Sequence, residues 1–256
     1  MNRQITTIAR NTLLEARRTR LPGLVLSAVV LLAAASFFVQ EIAVTESARL
    51  QTGFYAATMR LTAVFIVGLY VLSSVTREFN DKVLDVVLAL DLPRSHYILG
   101  KLAGFLLIGA LVAIAVSIPL AFLATPAAAL QWGASLALEL AIVVALSLFC
   151  VITFSQLMPA ASFVLAFYLL ARALTAIRLI GAHPLVDANT LSHRFIAMML
   201  EALALVTPAL DGWTQTAWLV NQPAAWTEIG LLAGQSALYV ALLAGATMFD
   251  FYRKNF

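Results

Sequence analysis

The chain has 256 residues, of which 62% are hydrophobic and 11% charged, and its net charge is +3. Soluble domains keep about a quarter of their residues charged, so this composition and a mean hydropathy of +0.94 exclude a soluble protein and indicate an integral membrane protein. A pI near 9.2 would also suit a nucleic-acid binder, but the basic residues are spread between apolar runs, and we interpret them as signals of membrane orientation.

The first twenty residues are predicted to form an amphipathic helix. Apolar residues recur at helical spacing, and arginines recur at seven-residue steps on another face. We expect this helix to lie along the inner membrane surface, with its apolar side chains in the lipid and its arginines among anionic headgroups. The apolar residues are Ile5, Ile8, Ala9, Leu13 and Ala16, and the arginines are Arg3, Arg10 and Arg17.

Six apolar runs are long enough to cross a membrane, for which a helix needs about 20 residues. They leave little chain for a soluble domain, and helices satisfy their own backbone hydrogen bonds in lipid. The predicted fold is therefore an all-α membrane protein with six transmembrane helices in a single domain, 1–256. The predicted spans are 21–43, 53–76, 102–125, 133–155, 159–178 and 228–250.

The distribution of charge predicts that both termini lie inside. Five basic residues precede the first span, four lie between the second and third, and two follow the sixth, which places eleven of the sixteen on one side. The positive-inside rule makes that side cytoplasmic. The four tryptophans fall on the other side, where we expect them to form an interfacial aromatic belt. They are Trp132, Trp213, Trp218 and Trp226.

The segment between spans two and three concentrates charge. Its polar residues Glu78, Asp81, Lys82 and Asp85 repeat at i, i+3, i+4 and i+7 opposite an apolar stripe, which predicts a short amphipathic cytoplasmic helix over 78–91. Pro93 cannot continue that helix. Ser95 is then expected to cap the next helix, which leads through Lys101 into span three.

The longest segment outside the spans lies between spans five and six. An apolar stripe from Leu191 to Val206 predicts a helix that lies in the outer interface or dips part-way back into the membrane, and Pro208 with Asp211 and Gly212 predicts its end. We expect 189–220 to form a helical insertion at the outer side.

Three ionisable residues lie inside predicted spans, namely Arg60, Glu139 and Arg172. Such groups cost about 2.5–3.5 kcal/mol each at a helix centre. Glu139 is either part of a polar translocation path, with Arg60 and Arg172 as partners, or it belongs to a structural ion pair or reaches the interface. The sequence leaves these interpretations open.

Motifs for catalysis are missing from the sequence. It has no Gly-x-x-x-x-Gly-Lys-Ser/Thr phosphate loop, no His-Glu-x-x-His pair and no Gly-x-Ser-x-Gly elbow. His183, Asp187 and His193 share the outer loop, but their spacing fits no helical ligand pair, so we expect no metal site. The single cysteine, Cys150, excludes an intramolecular disulfide.

The run "REFNDKVLDVVLALDLPRSHYILGKLAGF", residues 77–105, resembles the cytoplasmic signature of the ABC type 2 permeases. In that signature an acidic residue, a Leu-rich helix, a Pro-x-x-Arg/Ser turn and a Gly-Lys pair recur. The leading helix, the six spans and the insertion after span five resemble the same family over nearly the full chain.

This resemblance implies a permease subunit in the bacterial inner membrane, exporting a hydrophobic or amphipathic substrate. It implies a homodimer that works with two copies of a separate ATPase subunit, which bind ATP and Mg, so this chain itself needs no cofactor and is not an enzyme. It also implies that 78–91 is a coupling helix, that 189–220 forms the extracytoplasmic gate, and that spans one, two and five line the dimer interface and path. The residues expected to face the ATPase are Glu78, Asp81, Lys82, Asp85 and Arg94.

The alternative is a secondary transporter or channel that acts alone. Such proteins have repeated halves and helices broken near the midplane of the membrane. We find no convincing repeat in the sequence.

Overall fold

The structure is a computed structural model, and it describes residues 2–42, 46–81, 93–182, 195, 198–203, 207–221 and 223–253. Across these residues the regular structure is helical, without a strand. Six of the helices are long and apolar enough to cross a membrane. The prediction of an all-α protein with six spans is confirmed to this extent.

The described helices are, in chain order, α1 (Asn2–Arg18), α2 (Leu21–Ile42), α3 (Ser47–Asn80), α4 (Arg94–Ser117), α5 (Leu120–Leu123), α6 (Pro126–Phe154), α7 (Leu157–Ala182), α8 (Ala217–Val220) and α9 (Trp226–Arg253). A 3-10 turn at Leu210–Gly212 precedes α8. The spans are α2, α3, α4 with α5, α6, α7 and α9. Residues 195 and 198–203 are also helical, within the predicted outer insertion.

The central helix of the bundle is α6. Seven consecutive residues, 142–148, are buried, and at 100° per residue such a run covers every face of a helix. Accordingly, α3, α4, α7 and α9 all pack against it. In the most apolar window of α6, 72% of the residues are buried, compared with 11% for α2.

The outward faces of the spans are strongly apolar. On α2 the side chains of Leu26, Leu31 and Phe38 are 66%, 67% and 68% exposed. A soluble protein rarely exposes such a continuous apolar face, whereas lipid tails are a suitable environment for it. Together with the six spans, these faces identify a multi-pass membrane protein.

The two ends of the bundle differ in composition. One end, called the basic end, carries Arg17, Arg77, Lys101 and Arg253, and contacts between α1, α3, α4 and α9 hold it together. The other end, called the tryptophan end, holds the tryptophans. The predicted separation of charge and tryptophan is present, and which end faces the cytoplasm stays a prediction.

The expected interfacial belt of tryptophans is wrong for three of its four members. Trp132, Trp213 and Trp218 are buried inside the protein, and only Trp226 is exposed. The indole nitrogen of Trp213 donates a hydrogen bond to Ser236 Oγ at 2.9 Å. These rings fill the space between the spans and the segment before α9, where a large apolar group with one polar atom fits.

The helix α1 packs along α4. Ala9, Thr12 and Ala16 are buried, and the contact is close because α4 presents Gly100 and Gly104 to it. A methyl group built on Gly104 would lie 2.7 Å from Thr12 Cβ. The expected apolar face therefore exists, but α4 covers much of it, so its central residues are not available to lipid.

Two helix boundaries differ from the prediction. Because α4 begins at Arg94, Ser95 lies inside its first turn and does not cap it. The link predicted between spans three and four is mostly helical, since α6 begins at Pro126. Thr125 caps it with its side-chain oxygen, which accepts from the amide of Ala128 at 3.4 Å.

We expect Gly104→Ala to loosen α1. The added methyl group must displace Thr12 or the carbonyl of Ala9, which lies 3.1 Å from it, and overpacking of this kind costs about 1–3 kcal/mol. Thermal unfolding in detergent and the rate of trypsin cleavage at Arg10 measure the effect.

Gly245→Ala is the matched control, because a methyl group there meets no atom within 4 Å. This variant also replaces a glycine within a helix by alanine, which has the higher helix propensity, so the stability of the protein should be unchanged or raised. Equal behaviour of the two variants would contradict the close packing of α1 on α4.

Candidate functional site: a buried ionic network

The carboxylate of Glu139 lies fully buried in the bundle. It is 13 residues along α6 from Pro126, or about 20 Å. Tyr168 Oη donates to its Oε1 at 2.9 Å, and Thr214 Oγ1 donates to its Oε2 at 2.5 Å. Arg172 Nη1 forms an ion pair with Oε1 at 3.2 Å. Each oxygen therefore has partners, as a buried charge requires.

Arg172 also binds the backbone of the segment that precedes α8. Its Nη1 donates to the carbonyl of Leu210 at 2.8 Å and to that of Trp213 at 3.3 Å. One guanidinium thus joins α7, the carboxylate on α6 and the turn at Leu210–Gly212. All three of these contacts are made by the same nitrogen, Nη1.

Thr214 is the residue through which this segment is fixed. Its amide donates to Ser135 Oγ at 2.9 Å, its hydroxyl binds Glu139, and its carbonyl accepts from Arg60 Nη1 at 3.1 Å. Its φ of 49° lies in the left-handed region, which is rare for a β-branched residue and costs on the order of 1–3 kcal/mol. Three hydrogen bonds hold it there.

We call Arg60, Ser135, Glu139, Tyr168, Arg172 and Thr214 the buried network. It joins α3, α6, α7 and the segment before α8, and all three ionisable residues singled out from the sequence belong to it. Arg172 pairs directly with Glu139, and the hydrogen bond of Arg60 goes to the carbonyl of Thr214.

The burial of Glu139 excludes one of its three predicted roles, namely that its side chain reaches the membrane interface. A side chain that reaches the interface would be exposed, whereas Glu139 is 0% exposed, so that interpretation is wrong. The arrangement is that of a structural ion pair with added hydrogen bonds. A role in a polar path stays a prediction.

An apolar cleft of about 180 Å³ adjoins the buried network between α3 and α7. Tyr168 lies at its edge, and Gly68 and Leu72 of α3 face Met158 and Val164 of α7 across it. The cleft is smaller than a typical ligand pocket of about 300–1,000 Å³. In this conformation it is too small to enclose a ligand of typical size.

A second group of polar residues lies at the basic end. Lys101, which is 5% exposed, forms an ion pair with Glu78 and a longer one with Glu15, at 3.8 Å. Tyr97 Oη also donates to Glu78, and Ser74 Oγ donates to Glu15 Oε1 at 2.9 Å. We call these five residues the basic-end cluster. They join α1, α3 and α4 on either side of segment 82–92.

Of the residues expected to face an ATPase, the described ones have different surroundings. Glu78 lies within the basic-end cluster. Arg94 Nη1 donates to the backbone carbonyl of Phe251 at 3.3 Å. The guanidinium carbon of Arg94 also lies 6.0 Å from the centroid of the Phe251 ring. Asp81 is exposed at the end of α3. Lys82 and Asp85, with the rest of 82–91 in the predicted helix 78–91, lie outside the described residues.

Sequence reasoning missed several members of these two groups. Tyr168, Thr214 and Ser135 are common residue types in spans and loops, and no spacing marks them as partners of Glu139. Glu15 was missed on an arginine-rich helix. The glycine pair Gly100 and Gly104 did carry a signal, because Gly-x-x-x-Gly in an apolar span is typical of close helix contact.

Within the described ranges, His, Cys, Asp and Glu residues form no group that could hold a metal ion. His183, Asp187 and His193 lie outside those ranges. Compared with known proteins, the chain matches no family model and no curated sequence.

We expect Glu139→Gln to destabilise the protein strongly. It leaves the partly buried charges of Arg172 and Arg60 without an anion, and removal of one partner from a buried ion pair costs up to about 3–5 kcal/mol. Chemical unfolding in detergent, followed by tryptophan fluorescence, measures the change.

The exposed pair Arg49–Glu46 provides the control, since its 3.1 Å separation is similar but its side chains are 54% and 64% exposed. Glu46→Gln should change stability by less than about 1 kcal/mol. If the two glutamine variants were equally stable, the importance of the buried network would be refuted.

Proposed function

We propose that this chain is the membrane-spanning subunit of an ATP-driven transporter of the ABC type 2 kind, exporting a hydrophobic or amphipathic substrate. It works as a dimer with two copies of a separate ATPase. The observation that carries the proposal is the basic-end cluster, which joins α1 to the end of α3 and the beginning of α4, the two helices that flank residues 82–92.

We expect a partner that binds segment 82–92 to transmit force to the two helices that flank it, α3 and α4. Before the segment, Glu78 of α3 forms an ion pair with Lys101 of α4. After it, the ring of Tyr97 in α4 stacks on that of Phe251 in α9, with centroids 5.9 Å apart. In the proposed mechanism, a force applied where α3 ends and α4 begins would reach four helices at once, because α1, α3, α4 and α9 contact one another there. The sequence has no phosphate loop, so the energy would come from the partner.

The helix α3 connects the two polar groups. It is continuous over 34 residues, and Glu78 lies 18 residues, or about 27 Å, from Arg60. A shift of α3 caused at the basic end would change the bond between Arg60 and Thr214. In the proposed mechanism, ATP-driven motion thereby acts on the segment before α8, part of the predicted gate 189–220.

The contacts divide the expected coupling residues into two groups. Glu78 and Arg94 are engaged within the chain, so we assign them to anchoring the coupling segment. Asp81 is exposed, and with Lys82 and Asp85 it is the candidate for direct contact with the ATPase. This division supports a docking surface on the coupling segment and a fixed base beneath it.

The contrasting hypothesis, a transporter that acts alone, finds less support. Such proteins bind substrate at helices broken near the midplane. Among the described spans, α2, α3, α6, α7 and α9 are continuous. The break at Ile118–Pro119 lies close to the tryptophan end of its span.

Purification of the tagged chain from native membranes tests the proposal directly. We expect an ATPase subunit to copurify in equal amount with the chain, in a complex with two copies of each. If the purified chain were free of any ATPase and moved solute along an ion gradient after reconstitution, the proposal would be wrong.

We expect Asp81→Lys combined with Asp85→Lys to abolish ATP turnover that depends on the permease. The reversed charges would repel the surface that normally meets them, while membrane insertion would be unaffected. Turnover by the reconstituted complex, compared with that of the ATPase alone, measures the effect.

Glu46→Lys is the control for this double variant, because it reverses an exposed carboxylate at the tryptophan end. It should leave turnover unchanged. Normal turnover by the double variant would count against the coupling role of this segment.

A further inference from the structure

A large groove runs along the lipid-facing side of the bundle between α1, α2 and α4. Its volume is about 650 Å³, within the range of about 300–1,000 Å³ typical of ligand sites. Its walls are apolar, with Leu13 of α1, Val25 of α2 and Leu111 of α4 among them. The charged residue in its lining is Arg17, near the end of α1.

The groove exists because the helices that form its two walls, α1 and α2, pack against different neighbouring helices. The helix α1 packs on α4, whereas α2 packs along α3 and touches α4 only slightly. Only Thr19 and Arg20 separate α1 from α2, so the two helices diverge at once and leave a slot. The slot is open on the lipid-facing side of the bundle, so another molecule can enter it.

The dimensions and chemistry of the slot fit one acyl chain. Along α4 it extends from Ile108 to Ile118, ten residues or about 15 Å. This is about half of the 30 Å hydrocarbon thickness, a length that part of one acyl chain can fill. A hydrated or polar ligand would gain nothing from such walls, because its polar groups would find no partners there.

Arg17 makes one end of the groove suitable for a negatively charged group. Its side chain is exposed at the groove, and no hydrogen bond or ion pair engages it among the described residues. The carboxylate nearest in sequence, Glu15, is already bonded to Ser74 and lies near Lys101. Guanidinium groups bind phosphate through two parallel hydrogen bonds. Exposed Arg10, Arg18 and Arg20 add positive charge to the same helix and link.

We propose that this groove binds an anionic phospholipid of the surrounding bilayer, with one acyl chain between α2 and α4 and its phosphate on Arg17. The lipid completes the packing of α1 and α2 against the bundle. This site is separate from the buried network and from the basic-end cluster, and it does not depend on the proposed transport function.

The test uses the full chain reconstituted in phosphatidylcholine bilayers that carry a trace of spin-labelled lipid. The label is on phosphatidylglycerol in one set and on phosphatidylcholine in the other, and electron paramagnetic resonance measures the immobilised fraction. We expect the chain to prefer phosphatidylglycerol about fivefold, as one basic residue near a membrane surface provides.

Arg17→Ala should remove this preference, and Arg18→Ala should retain it, because Arg18 carries the same charge one residue away but does not line the groove. Equal loss in both variants would mean that diffuse surface charge attracts the lipid, and it would overturn the site. A wild-type chain without any preference would overturn it as well.

A second pair of variants tests the acyl chain separately. Ala115 lines the groove, and Ala115→Phe should reduce the immobilised fraction of both lipids, whereas Ala121→Phe, at an exposed position outside the groove, should not. An unchanged immobilised fraction in Ala115→Phe, with a normal thermal unfolding temperature, would refute the placement of the chain in the groove.

Discussion

The contact of Glu139 with Arg172 and Thr214 is the interaction on which the tryptophan end depends. Lipid and the apolar core offer no water to a carboxylate, so its charge is tolerable only if several donors surround it. Those donors come from α7 and from the segment before α8. By requiring them, one glutamate fixes where that segment lies and holds Thr214 in an unfavourable backbone conformation.

The basic end is organised differently. There Lys101 is the buried charge, and its two carboxylate partners come from α1 and α3. The close contact of α1 with Gly100 and Gly104 brings Glu15 within reach. A bundle with one ionic group near each end, connected by the continuous helix α3, can respond as a unit to a change at either of them.

Much of the fold could be predicted from the sequence, because hydrocarbon thickness fixes the length of a span and hydropathy then locates it. Helix ends were less predictable. The predicted spans leave Pro126 in a link, although Thr125 before it is a common cap and proline is favoured in a first turn. Ser95 is predicted to cap α4, but the helix already begins at Arg94, so Ser95 lies within its first turn.

The sites were only partly predictable. The cost of charge in lipid singled out Glu139, Arg60 and Arg172, and all three meet in the structure. Their uncharged partners could not be found in this way, because Tyr168 and Thr214 are ordinary in composition and become special only through packing. The buried tryptophans show the same limit: sequence placed them at one end, but not whether they faced lipid or protein.

The position of Glu139 in the chain has a consequence for how the protein is made. Of its three side-chain partners, Tyr168 follows it by 29 residues, Arg172 by 33 and Thr214 by 75. At synthesis rates of about 5–20 residues per second, Thr214 appears roughly 4–15 s after Glu139. During that interval α6 must remain in the membrane, or beside the insertion machinery, with an incompletely bonded carboxylate. The apolar residues that make α6 the centre of the bundle also keep it inserted until the last partner arrives.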